Sequence, residues 1–226
     1  MKKISIYCFI LISLGFIGCT SKTHEKTIED FDIREMSLQV DTLYSRMTQA
    51  ERVAQLYGIR PKEIMEDGKL SLEKCKEKIS DGIGHICQYA CALDMEPNEL
   101  RDFVRDLQNY LIHETPSGIP AIFHEEAITG LAAKGATVYP QQLGIACTWN
   151  PELATVKTEQ TAEVMRSVGA TLALSPMVDL IRTAHWPRIE ESYGEDGYLS
   201  AAMGVAFVEG LQKKGLKNGK FEKDYR

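Results

Sequence analysis

Residues 175–211 read SPMVDLIRTAHWPRIEESYGEDGYLSAAMGVAFVEGL. The stretch opens where an apolar run, Ala170 to Leu174, ends. It then crosses a polar segment holding Asp179, Arg182, His185, Trp186, Arg188, Glu190, Glu191, Glu195 and Asp196. From about Tyr198 it closes on Leu199, Ala202, Met203, Ala206, Phe207, Gly210 and Leu211, the spacing of one helix face. A short buried strand, a long polar loop and a helix make one βα unit. In α/β barrels such loops form the rim that carries the chemistry.

The same alternation recurs upstream. Asn150-Pro151 is a helix start, with Asn as cap and Pro at the first position. Leu153, Val156, Gln160 and Val164 fall on one side of that helix, and Gly169 ends it. Ile119 to Phe123 is an apolar run of the kind covered on both faces of a sheet. Before it, Pro97 opens a helix with Leu100, Phe103, Val104, Leu107 and Leu111 on one face, stopped at Thr115-Pro-Ser-Gly. Ile83 to Tyr89 predicts a short strand after a Gly turn, and Ser71 to Ile79 a short helix. Thr48-x-x-Glu51 is a capping box that starts a helix over 49–57. Strand and helix therefore alternate three times, the pattern of parallel βαβ units. Two architectures fit: a doubly wound open sheet, or the first part of a (β/α)8 barrel of the TIM type. A whole barrel takes about 250 residues. No GxGxxG follows a strand, so nucleotide binding has no support.

The first residues read as a targeting segment. Lys2 and Lys3 precede an apolar stretch, Ile4 to Ile17, that is too short to span a bilayer. Phe16-Ile-Gly-Cys19 resembles a lipobox, the cleavage site of bacterial lipoproteins, which makes Cys19 the expected lipidated residue. The expectation is a lipoprotein signal peptide over 1–18, a lipid-anchored tether over 19–36 and a folded domain over 37–226. The location that goes with it is the bacterial cell envelope, facing periplasm or surface, with the membrane as partner through the anchor. Cleavage removes two of 26 basic residues and none of 32 acidic ones, making a chain of formal charge −6 more acidic still. That balance, without a basic patch, excludes nucleic acid as partner. A hydrophobic content of 44% is that of a globular chain and not a disordered one. Past the anchor four cysteines remain, Cys75, Cys87, Cys91 and Cys147. Cys87-x-x-x-Cys91 has no second pair or flanking histidines, so small buried thiols are expected, with no metal and no cofactor.

Polar groups cluster at the strand ends: His85, then His124-Glu125-Glu126, then Asp179 onward. Ile128 stands where a zinc-protease helix needs its second His, and no G-x-S-x-G elbow appears. Trp186 beside Arg188 and several carboxylates offers an apolar ring face, a forked donor and acceptors, which together suit a sugar. Arg188 also has Glu191 and Asp196 as possible structural partners; a pinned guanidinium makes the better clamp.

Several ordered motifs extend this. They are Met47-Thr-Gln-Ala-Glu-Arg-Val-Ala-Gln-Leu56, Gly118-Ile-Pro, His124-Glu-Glu-Ala-Ile-Thr-Gly130, Gly135-Ala-Thr-Val-Tyr-Pro-Gln141, Thr148-Trp-Asn-Pro-Glu-Leu153 and Trp186-Pro-Arg-Ile-Glu-Glu-Ser-Tyr-Gly-Glu-Asp196. Over roughly residues 43–212 the chain resembles glycoside hydrolase family 3, the β-glucosidase and β-xylosidase group. The resemblance implies the first part of a TIM-type barrel and retaining hydrolysis of terminal β-linked glucose or xylose from oligosaccharides, with an Asp nucleophile and a separate acid/base. By motif position it makes Glu126 and Arg188 sugar-binding residues of the −1 subsite, with Trp186 in support. It places the nucleophile and acid/base beyond Arg226, so no catalytic residue is assigned within the chain. Glu126 stands where the family commonly has Asp; its extra length crowds a C6 hydroxymethyl group and favours a pentose. Thr129 replaces a common His, and His185 and Pro187 replace an Arg and a Gly around Trp186. Two readings follow: part of a lipid-anchored glycosidase, inactive alone, or a surface lipoprotein that binds sugar or a partner without catalysis.

Overall fold

The computed structural model describes residues 33–213, 216–217 and 220–221. The signal peptide and Cys19 lie outside the described residues. Helix α1 (Ile33–Arg46) begins within the stretch read as a tether, so the chain is helical from Ile33. Residues 37–46 are exposed, and Arg52 ties the helix down: its guanidinium lies 3.8 Å over the Tyr44 ring and donates to the Tyr44 carbonyl at 2.7 Å. No described helix is long and apolar enough to cross a membrane.

The capping box forms as its residues dictate. Thr48 Oγ1 accepts from the Glu51 amide at 3.2 Å, and the Glu51 carboxylate accepts from the Thr48 amide at 2.6 Å. The helix it starts, α2 (Gln49–Ala54), stops three residues short of the predicted end. The chain turns there into a strand absent from the sequence reading, β1 (Gly58–Ile59). A 3-10 turn (Pro61–Ile64) and a two-stranded antiparallel ribbon, β2 (Met65–Glu66) with β3 (Lys69–Leu70), lead to α3 (Leu72–Lys78). Then come β4 (His85–Cys87), α4 (Tyr89–Ala92), α5 (Pro97–Glu114), β5 (Ile122–Glu125), α6 (Gln142–Ala146), α7 (Pro151–Ser167), β6 (Leu172–Ala173) and α8 (Gly197–Lys213). A small ribbon, β7 (Leu216–Lys217) with β8 (Lys220–Phe221), follows.

The main sheet runs β1-β4-β5-β6, every pair parallel. Strands adding in chain order, without reversal, are what a barrel wall requires. A doubly wound sheet reverses direction at a switch point. The open-sheet alternative therefore falls, and the fold is of the (β/α)8 TIM-barrel type with its first four strands.

The register sorts the side chains. Ile59, Ile86 and Phe123 are partners on one face, with Glu125 and Ala173 next along it. That face meets the helices: Ile86, Phe123 and Glu125 are all 1% exposed or less. Its centre is aromatic. The Tyr89 and Phe123 rings meet edge-on at 5.1 Å, Phe103 joins from α5, and the Tyr89 hydroxyl donates to the Val168 carbonyl at 2.6 Å. Each such ring contributes about 2–3 kcal/mol by burial. The opposite rows hold Gly58, His85 and Ile122, then Cys87, His124 and Leu172. Ile122, on this face, is 43% exposed in the four-stranded sheet. Apolarity alone did not reveal which residues of the run belong to the strand.

Helix α7 is likewise turned from its predicted face. Leu153 and Val156 are exposed, while Ala154, Thr158, Thr161, Ala162 and Met165 are buried. Small residues win this face because α8 lies against it at close range. A Cβ on Gly210 would fall 1.9 Å from Thr158 Oγ1 and 2.5 Å from the Thr155 carbonyl oxygen. A second core cluster of Ile145, Ala154, Tyr193, Met203, Ala206 and Phe207 joins α6, α7, α8 and the long loop before α8.

Candidate functional site

The C-terminal ends of β4 and β5 lie side by side. Cys87 and His124 are register partners, and the Gln88 amide donates to the His124 carbonyl at 2.9 Å. His85 opens β4, within the run expected to be a strand, whereas His124 and Glu125, expected after their strand, belong to β5 itself. Only Glu126 of that group lies beyond its strand. Alternation sends Glu125 into the helix layer, where its Oε1 accepts from the Ala90 amide at 2.7 Å and its Oε2 is buried without a hydrogen bond. Burial pushes the Glu125 carboxyl up to about 7; the Ala90 and Tyr89 amides pull the other way, and the charge of Glu126 adds to the rise. His85 and His124 point to the opposite face with Nδ1 atoms 3.3 Å apart, a contact that needs one ring to donate and the other to accept. Burial, with His85 close by, lowers the His124 pKa.

Glu126 begins a loop through Pro140 that folds on itself: the Tyr139 amide donates to the Thr129 carbonyl at 2.9 Å. Helix α7 fastens it. Lys157, 4% exposed, donates to the Pro140 carbonyl at 3.0 Å and to the Ile128 carbonyl, and the Tyr139 hydroxyl donates to Gln160 Oε1 at 2.7 Å. Among the described residues no carboxylate forms an ion pair with Lys157, and burial lowers its pKa to about 8.

The loop after β6 is stitched to this one. The Ala127 amide donates to Ser175 Oγ at 3.2 Å. Fully buried Gln142 on α6 donates to the Met177 carbonyl (2.7 Å) and accepts from its amide (3.1 Å). The Ile181 amide donates to the Gly194 carbonyl at 3.0 Å, closing the loop, and buried Tyr193 roots it in the second core. Arg188 pairs with Glu191, as one of the two anticipated partners. The Arg188 guanidinium is held above the usual arginine range, chiefly by its hydrogen bond to Glu191, with Glu126 and Asp179 adding through space. Half-buried Trp186 lines an open cleft of about 380 Å³ with Asp179, Leu180, Arg182, Thr183, His185 and Pro187.

Glu126 and Arg188 are thus brought within electrostatic range, 62 residues apart in sequence, with Trp186 two residues from the arginine. The cleft itself is lined by neither Glu126 nor Arg188. Gln88, Gln142 and Lys157 escaped the sequence reading. A Gln one residue past a strand, another at the start of a short helix and a Lys in a helix carry no pattern that marks them. Among the described residues no three His, Cys, Asp or Glu side chains are grouped so as to hold a metal ion. All four described cysteines are free thiols; Cys75 is buried, whereas Cys91 and Cys147 are exposed, against the expectation of buried thiols throughout.

The family model for the glycosyl hydrolase family 3 N terminal domain matches residues 48–220. A putative β-xylosidase of Formosa agariphila is 32% identical over 227 residues, covering 97% of this chain and 30% of that protein. A β-xylosidase of the same organism is 46% identical over 104 residues, covering 43% of this chain and 14% of its own length. Among solved structures, a β-glucosidase from Erythrobacter marinus superposes with a TM-score of 0.71 at 31% identity, covering 85% of this chain and 25% of that one. A β-glucosidase from Listeria innocua in complex with glucose gives 0.62 at 28% identity, covering 80% and 24%. The chain spans less than a third of the length of these relatives.

Proposed function

The chain belongs to glycosyl hydrolase family 3, matching that family's N-terminal domain, and from that premise we propose that it supplies part of the −1 sugar subsite of a retaining β-glycosidase. Arg188 donates its free N–H groups to sugar hydroxyls, Glu126 accepts from them, and Trp186 offers an apolar face. Such hydroxyl contacts strengthen as the ring flattens toward the oxocarbenium-like transition state. The observation that carries the reading is that Glu126 and Arg188, on separate βα loops, act on each other through space, each loop being fastened by buried groups. Gln142 and Lys157 supply that fastening, which is what a precise hydroxyl clamp needs.

The substrate in this reading is a terminal β-linked glucose or xylose of an oligosaccharide. The length of Glu126 favours the pentose. Nucleophile and acid/base are assigned to no residue of this chain, so the 226 residues alone turn over no nitrophenyl β-glycoside; measurable hydrolysis would refute that. Lipid anchoring through Cys19, and with it a place in the cell envelope, belongs to the same proposal. It rests on the lipobox alone and is tested by mass spectrometry of the mature N-terminus. The sugar preference is tested by comparing binding of methyl β-D-xyloside and methyl β-D-glucoside to the chain and to its Glu126→Asp variant. The shorter acid should relax the preference for the xyloside; an unchanged ratio sinks the pentose assignment.

A further inference from the structure

Among the described residues Gln88 is one of three non-glycine residues with positive φ, at φ 50° and ψ 44°. A side chain in the left-handed region is disfavoured, and glycine is the ordinary occupant. The position lies at the rim, where β4 turns into α4. Two consecutive carboxylates of the neighbouring strand end act on this one turn. From the helix side, Glu125 Oε1 accepts the Ala90 amide at 2.7 Å. On the rim, Gln88 Nε2 lies 3.5 Å from Glu126 Oε1. The backbone of the turn is fixed as well, by the Gln88 amide on the His124 carbonyl. The chain therefore places a side chain where a bare backbone would sit with less strain, and that side chain reaches across to Glu126.

We infer that Gln88 is a positioning residue for Glu126. Its amide group holds the carboxylate at one oxygen and leaves the other free to accept a sugar hydroxyl. Glu125 holds Gln88 in turn, through the Ala90 amide. This rests on the reading of Glu126 as a sugar-binding group. The juxtaposition itself does not.

Gln88→Gly separates side chain from backbone, since glycine adopts the left-handed turn freely. Its denaturation midpoint should equal or exceed that of the parent chain. Its affinity for methyl β-D-xyloside should fall about tenfold, the effect of one hydrogen bond to a charged group. In a Glu126→Ala background the same change should cost nothing further. Equal losses in both backgrounds would mean that Gln88 does not act through Glu126, and an undiminished affinity in Gln88→Gly would overturn the role outright. A second readout needs no sugar. The side-chain amide resonance of Gln88 in the chain should shift when Glu126 becomes Ala, and an unmoved resonance contradicts the contact. If Glu126→Ala leaves xyloside binding intact while the resonance shifts, the subsite reading fails and the contact stands.

Discussion

Arg188 and Glu191 are joined at two points, Nε to Oε1 at 2.9 Å and Nη2 to Oε2 at 2.5 Å, across the single turn Ile189–Glu191. A guanidinium has five N–H donors, and this pairing takes two of them on one edge. The remaining donors are left on the other edge, in a plane that Glu191 fixes.

Replacing Glu191 by Gln should leave the fold intact, because the Arg188 side chain is 54% exposed and an exposed pair does little for stability. Affinity for methyl β-D-xyloside should fall roughly tenfold as the donor plane loosens. Calorimetric titration beside a melting curve separates the two. A fall in melting temperature with unchanged affinity would make the pair structural only.

Glu125 gives the fold a pH signature. Its folded pKa, about 7, lies above the 4.5 of an ordinary Glu. Between those values the folded chain holds a proton that the unfolded chain has released. The stability this group adds is full below pH 4.5 and is lost as pH rises to 7, by about 3 kcal/mol. Glu125→Gln keeps an acceptor for the Ala90 amide and cannot ionise. Denaturant melts at pH 4.5 and 7 should show the variant gaining on the parent chain by about that amount. A constant difference would place the Glu125 pKa near its ordinary value.

Lys157 has the opposite shift, from 10.5 down to about 8. Between pH 8 and 10.5 the unfolded chain binds the extra proton, so stability rises with pH across that window by about 3 kcal/mol. Lys157→Met removes the rise. It also frees the Ile128 and Pro140 carbonyls, so proteolysis within residues 128–140 should quicken at every pH. Parallel stability curves for the two proteins would contradict the buried-ammonium account.

Gly210→Ala tests the contact between α7 and α8. The added methyl meets Thr158 Oγ1 at 1.9 Å and the Thr155 carbonyl oxygen at 2.5 Å, and the two helices must separate. The expected loss is about 3 kcal/mol in chemical denaturation. A neutral substitution would mean that the helices are less closely apposed.

Much of this was legible in the sequence where a local rule decides. The caps at Thr48 and Asn150 and the Pro starts at 97 and 151 set helix beginnings, and all appear as read. What needed three dimensions was hidden. Strand β1 is two residues long, Gly58 and Ile59, too short for any period to register. The face of α7 turned to α8 is lined by Ala and Thr because Gly210 of α8 comes close at Thr155 and Thr158, so hydrophobic spacing pointed to the wrong side. At the site, Glu126, Trp186 and Arg188 were visible as residue types in motifs. Their supports were not, since Gln88, Gln142 and Lys157 act through contacts 17 to 38 residues away.

The central claim is that Glu126 and Arg188 together grip a sugar. Saturation-transfer NMR of methyl β-D-xyloside with the chain, its Arg188→Ala variant and its Glu126→Ala variant tests it most directly. Transfer to the sugar ring protons is expected with the parent chain and should be weaker in both variants, each of which keeps the parent melting temperature. Equal transfer in all three proteins, or none with the parent chain, would contradict the account.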